Sequence, residues 1–500
     1  MSKSNAVFLV GLVFIILVFS ILFAFGKDAV QINRSADSAI FEQVVENIYA
    51  NVGAVSNVFS STQNYIDKLY FAMPPEERVA QELSPPSSIE RSVLGFHAYW
   101  ILFFFAPFLK FLDSSLLLTI IHLTSYALLI SSAMLVTLRS NAGTPGAIII
   151  AFIVAMTPMV LGAIFGQFYP DRIFVFLGFA ICALVYFRAG LWLIFFCAIL
   201  VALVNERAAL IGGVVMIVIP FCRRDEPLVL RENFHILAIG FSLVVYSAAV
   251  EKIWLSNLYY DNYLPTGIMD LVSRFGDETF SHNSFNFILA NSALLVLALG
   301  NYRLMLLVWL IMSPNLIGSV GGAEKVGWLT HYHSYYFPIL VFSAAIGLGI
   351  ILNSKGFKRK LIVVIVSISL SVFSFQREFS FGRLPTINDY SAVYDSLYNR
   401  LHNLPTGYNI RKEVVSLVPK DAFVVSDELG MALFVNHATL DLFPVSINKA
   451  DYLFIPCNWD MGNKAGRGEY SVANEWITDH GFQSKPKVEV AAIGRCLYVK

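Results

Sequence analysis

From residue 114 to residue 375 the sequence repeats one pattern: an apolar run, a short basic or aromatic link, then another apolar run. A chain that crosses hydrocarbon must satisfy its own backbone hydrogen bonds, so runs of this kind fold as helices. An earlier run at 6–26 (AVFLVGLVFIILVFSILFAFG) has about the 20 residues that a bilayer requires. Hydrophobic residues make up 57% of the 500 and charged residues only 14%, too little charge to cover a soluble protein of this length. The class is a polytopic α-helical membrane protein, with the lipid bilayer as its first partner. Nucleic acid is not an expected partner.

The run at 6–26 follows Lys3 and precedes no small-residue cleavage site, so it reads as a signal anchor. Further spans are expected near 114–138, 145–165, 172–187, 189–204, 208–222, 234–250, 285–300, 304–320, 335–353 and 361–375, about eleven in all. Basic residues set the orientation. With the N-terminus in the cytoplasm, the inner links hold Arg139, Arg188, Arg223, Arg224, Arg231, Arg303, Lys355, Lys358, Arg359 and Lys360. The short outer links hold only Arg172, Arg207 and Lys325, a positive-inside bias. The longer outer loops, 27–96 and 251–285, are net acidic. Segment 97–112 (HAYWILFFFAPFLKFL) contains Pro107 and Lys110 and is short for a span. It is expected as an interfacial or re-entrant helix, which makes 27–113 a first outer loop with interfacial helices.

Residues 1–376 thus form the membrane domain, and 377–500 a small extracytoplasmic α/β domain. There EVVSLVPKDAFVVSDELGMALFVNHATLDLFP reads as helix, strand, helix, strand, with Asp427 near a helix start. ADYLFIP, VEVAAI and CLYVK read as further strands. Cys182, Cys197 and Cys222 fall in or at the end of apolar runs, where buried thiols are the default. Cys457 and Cys496 lie in strand-like segments, and an extracytoplasmic location would allow a disulfide between them.

The polar residues at membrane boundaries fall on one side of this topology. Asp37 lies in the first outer loop, His97 opens the interfacial segment, and Asp171 sits in GQFYPDR. Asn205, Glu206 and Arg207 sit in VALVNERAAL, and His331 and His333 in WLTHYHSYYFP. Ionisable groups at such depths are costly and therefore functional candidates. Each also has a plainer reading. In that reading Asp171 is a paired carboxylate at a helix start, Glu206-Arg207 a structural ion pair, and His97 an interfacial side chain. Tyr332, Tyr335, Tyr336 and Phe337 suit an aromatic belt. Two histidines are a weak zinc signal, so a divalent metal is compatible with these residues and not required by them.

A carboxylate in a wet cleft at the membrane face can act as general base on a hydroxyl. A nearby arginine or histidine can neutralise the phosphate of a lipid-linked donor. No phosphate-binding glycine loop is present for a nucleoside triphosphate. The expectation is a glycosyltransferase that uses a polyprenyl-phosphate sugar donor at the outer face of the cytoplasmic membrane, with a glycan, lipid or protein acceptor. The alternative is a lipid or glycan transporter or flippase, although no inverted repeat is visible.

The motifs resemble those of the bacterial and archaeal predicted membrane proteins grouped as domain of unknown function twenty seventy-nine, whose layout is similar to that of GT-C glycosyltransferases. Asp37, Phe41 and Gln43 match its first-loop pattern of aspartate, aromatic and glutamine. His97 to Pro107 matches its histidine before an apolar run, without the usual Ser-Pro. Tyr169, Pro170 and Asp171 match an aromatic-proline-acid motif. Glu206 matches an acidic link, here flanked by asparagine and arginine rather than lysine and aspartate. His331, Tyr332, His333 and Pro338 match the most specific motif. By analogy with GT-C enzymes the resemblance implies Asp37 as catalytic base and Asp171 or Glu206 as a second acid. Gln43, His97, Arg207, His331 and His333 are then candidates for substrate binding.

Overall fold

Between positions 114 and 375 every apolar run within the described residues folds as a helix. The computed structural model describes residues 13, 36–59, 92–160, 168–223, 230–255, 267–276, 278–317, 332–379, 413–427, 430–437, 439–443, 446–457, 474–490 and 494–500. The first apolar run, 6–26, lies outside them apart from residue 13. The helices are α1 (Ala36–Tyr49), α2 (Ile101–Phe105), α3 (Ser114–Arg139), α4 (Gly143–Ala155), α5 (Phe174–Tyr186), α6 (Leu191–Val204) and α7 (Glu206–Cys222). They continue with α8 (Leu230–Ala249), α9 (Ile268–Phe275), α10 (Glu278–Ala298), α11 (Tyr302–Ile317), α12 (His333–Asn353), α13 (Phe357–Phe379) and α14 (Asn474–Asp479). Among the described residues three helices are long and apolar enough to cross a membrane: Ser114–Arg139, Asn233–Trp254 and His333–Asn353. Several others are apolar but shorter. Segment 97–112 holds only α2 and a 3-10 turn, Ala106–Lys110, with Pro107 in its first turn.

The described residues fall into two compact units. One takes in Phe96–Ile101 and residues 119–379; the other takes in 36–59, 92–95, Leu102–Leu118 and the described residues from 413 onward.

Helix α12 is the axis of the first unit. Every residue from His333 to Gly349 is buried, and α4, α5, α10 and α11 pack around it. From His333 to Gly349 the apolar side chains of α12 are buried in protein. Those of outer helices are not: Trp192, Phe196, Phe241, Leu306 and Leu310 are exposed, as side chains must be where lipid rather than water is the solvent. Small residues let the helices touch. A Cβ on Gly347 would strike the Leu297 carbonyl oxygen of α10, and one on Gly213 of α7 would strike the Gly240 carbonyl of α8. Gly178 of α5 likewise leaves room for Pro338 of α12, whose Cγ would lie 3.1 Å from an added Cβ.

The basic links between helices cap carbonyls. Arg223 donates from Nε to the Tyr186 carbonyl (3.1 Å) and from Nη2 to that of Val185, at the C-terminal end of α5. Arg303 donates to the Arg223 carbonyl at 2.8 Å. Cations at helix C-termini satisfy orphan acceptors and oppose the helix dipole.

The second unit contains a five-stranded mixed sheet in the order β2-β1-β3-β5-β4. Its strands are β1 (Phe423–Ser426), β2 (Thr439–Leu442), β3 (Tyr452–Pro456), β4 (Val488–Val490) and β5 (Arg495–Val499). β1 pairs in parallel with β2 and β3, whereas β5 is antiparallel to β3 and β4. The strands coincide with the predicted runs. The helix expected between β1 and β2 is a single 3-10 turn, Met431–Leu433. Asp427 therefore caps no α-helix; its Oδ1 accepts from the Gly430 amide at 3.2 Å and from Arg495. Cys457 and Cys496 are joined by a disulfide that closes a separation of 39 residues, while the cysteines of the first unit are free and buried.

Two expectations follow. Gly347→Val should force α10 and α12 apart and cost about 3 kcal/mol or more by overpacking, read as a lower thermal unfolding midpoint in detergent, whereas Gly190→Ala, which meets open space, should leave the midpoint unchanged. Replacing both Cys457 and Cys496 by serine should cost roughly 2–4 kcal/mol, measured as faster proteolysis of the C-terminal region at matched protease concentration.

Candidate functional site

In the first unit the N-terminal ends of three helices meet. The 3-10 turn Pro170–Ile173 leads into α5 and carries Asp171. Asn205 caps α7, its side-chain oxygen accepting from the Ala208 amide at 2.7 Å, and Glu206 is the first residue of the helix. α12 begins with His333 and brings Tyr335 in its first turn. Nothing in the local sequence of any one helix encodes this meeting. The side chains make it.

Asp171 is 1% exposed and accepts three hydrogen bonds. Asn205 and Tyr335 donate to Oδ1, and Tyr99 donates to Oδ2 at 3.2 Å. An ionised carboxylate has only acceptors to offer, and all three of these contacts are donors. Asn205 is fully used: its amide also donates to the Tyr335 hydroxyl at 2.9 Å while its oxygen caps α7. Burial, and next the Asp171 carboxylate, hold the Tyr99 phenol well above its ordinary range against a smaller opposing pull from Arg207. Tyr99 therefore remains a protonated donor.

Glu206, also 1% exposed, holds a second centre. Its Oε1 lies 2.7 Å from His97 Nδ1, and its Oε2 accepts from the Ala98 amide at 3.1 Å. A carboxylate at Nδ1 selects the tautomer that carries its proton there and leaves Nε2 as the basic nitrogen. The Arg207 guanidinium lies 5.9 Å from the Tyr332 ring centroid.

His333 is fully buried, with Nε2 at 2.7 Å from the Tyr126 hydroxyl. His331 lies outside the described residues. Among the described residues no group of three or more metal-ligating side chains comes together. Asp37 begins α1 in the second unit, and its side chain is outside the described part. On that helix Phe41 is buried, and the Gln43 amide oxygen accepts from the Ser56 hydroxyl (2.8 Å) and the Asn57 amide (2.8 Å), which fastens the turn at 56–59.

The structure thus brings Asp171, Glu206 and His97 into one buried polar cluster with Asn205 as the joint. Tyr99 and Tyr335 complete it. Both stand within two residues of a histidine already singled out, but as aromatics near a membrane boundary they are indistinguishable from belt residues.

A family model described as "Predicted membrane protein (DUF2079)" matches residues 35–470. The chain belongs to the DUF2079 family. The match takes in every member of the cluster and begins just before α1. No curated protein matches the chain. The family description, the mostly helical fold and the apolar helices agree on a membrane protein located in a membrane.

Asn205→Ala should remove the α7 cap and a donor to Asp171 together, costing about 2–4 kcal/mol, seen as a lower unfolding midpoint in detergent; Asn301→Ala, outside the cluster, serves as the reference.

Proposed function

We propose that this DUF2079 protein is a membrane glycosyltransferase of GT-C-like layout, with about eleven spans, that transfers a sugar from a polyprenyl-phosphate donor to a hydroxyl acceptor. The N-terminus lies in the cytoplasm in this reading. The cluster and the C-terminal α/β domain lie on the outer face of the cytoplasmic membrane. One observation carries it: two buried carboxylates and a carboxylate-oriented histidine share one end of an apolar helix bundle.

The roles follow from the contacts. His97, with Nδ1 held by Glu206, takes the acceptor proton on Nε2. The acceptor oxygen bonds the anomeric carbon as the bond from that carbon to the phosphate oxygen breaks, and the lipid phosphate leaves with the electron pair. Asp171, on rigid donors, is placed to accept hydrogen bonds from sugar hydroxyls. Arg207 is assigned to the leaving phosphate. The apolar faces of the helices hold the polyprenyl chain.

The test is transfer from labelled polyprenyl-phosphate sugars by purified protein in nanodiscs. His97→Gln and Asp171→Asn should each lower kcat by about 100-fold or more, and Glu206→Gln by roughly 10- to 100-fold through the misplaced tautomer. Absence of transfer by the wild type with every donor, alongside specific lipid or glycan uptake into vesicles, would give the transporter reading its place.

A further inference from the structure

Asp171 and Arg172 are neighbours in one 3-10 turn, yet among the described residues they do not pair. Asp171 gives its oxygens to Asn205, Tyr335 and Tyr99. Arg172 reaches a different partner, with Nη1 at 3.2 Å from His122 Nε2, and its guanidinium lies 5.7 Å from the Tyr169 ring centroid. At 1% exposure it is among the largest fully buried side chains of the protein. A guanidinium carries five N–H donors. Here His122 is its hydrogen-bond partner among the described residues, and its Nε has none.

A buried cation satisfied this thinly is costly unless an anion completes it. The nearby carboxylates are already engaged, Glu206 by His97 and Ala98, and Asp171 by its three neutral donors. What is left over is hydrogen-bond donor capacity on Arg172. The starts of α5, α7 and α12 add the positive ends of their helix dipoles. His122 extends this basic side: Tyr126, one turn further along α3, holds the His333 ring at 2.7 Å.

We propose that Arg172, backed by His122, is an oxyanion site that takes a phosphate ester carried on a lipid. The forked guanidinium suits bidentate phosphate oxygens, and the His122 imidazole lies beside it. The lipid source is favoured because the site lies inside an apolar helix bundle. In the transferase reading, on which this choice of lipid rests, it is the donor phosphate that binds here, one residue away from the carboxylate that faces the sugar.

The experiment is equilibrium binding of tritiated decaprenyl phosphate to the full-length protein in nanodiscs, with decaprenol and inorganic phosphate as competitors. Wild type should bind saturably, and decaprenol should not compete. Arg172→Lys, which keeps the charge and loses the fork, should bind roughly tenfold more weakly or worse, and Arg172→Met should not bind. His122→Gln should weaken binding less than Arg172→Met. Each variant is checked for a monodisperse profile; if Arg172→Met does not fold, Arg172→Lys and His122→Gln decide. Wild-type affinity in folded Arg172→Lys and His122→Gln, or competition by decaprenol equal to that of the phosphate, overturns the site. Binding of inorganic phosphate but not of the lipid, lost in Arg172→Met, supports the oxyanion site and overturns its lipid source. Binding without sugar transfer from any donor keeps the site and removes the transferase reading. Transfer by the wild type with unchanged binding in Arg172→Lys does the reverse.

Discussion

A carboxylate buried among apolar helices has to find its donors within the protein, and Asp171 finds three. Each comes from a different stretch of chain: Asn205 from the cap of α7, Tyr335 from the first turn of α12, and Tyr99 from the segment after Gly95. Removing any one leaves a polar group stranded where water cannot replace it. The meeting of the three helix ends therefore depends on the Asp171 carboxylate as much as on the apolar packing below it. Glu206 repeats the principle one step away, tying His97 and Ala98 to the start of α7.

The two ends of α5 are satisfied by different groups. Around the N-terminal end of α5 lie Asp171, Glu206 and His97, with Arg172 and Arg207 beside them. At its C-terminal end, 13 residues on and about 20 Å away, Arg223 and Arg303 cap carbonyls. Helix dipoles favour each placement, anions at N-termini and cations at C-termini.

Much of this was legible in the residues. Apolar runs marked the helices because hydrocarbon leaves a backbone few other options, and short apolar runs marked β1, β3 and β5. The pairing of His97 with Glu206 was not legible, since 109 residues separate them and each alone reads as a boundary residue. Tyr99 and Tyr335 were hidden by their resemblance to an interfacial belt, and Gln43 drew notice as a binding residue when its amide oxygen is engaged in fastening a turn. The missing helix before β2 shows the limit of local pattern: DELGMALF has helical spacing, but Gly430 is pressed against Ser426 and Phe454, and the chain passes after one 3-10 turn.

Helix α12 has a consequence beyond stability. It carries both His333 and Tyr335, and it is enclosed by protein from its first turn to Gly349. Moving either residue by even a fraction of a turn would mean unpacking α4, α5, α10 and α11 at once. Such a mould is set before any ligand arrives, so shape selection here falls to the ligand, and whatever gate admits it has to be built from parts of the chain other than this helix.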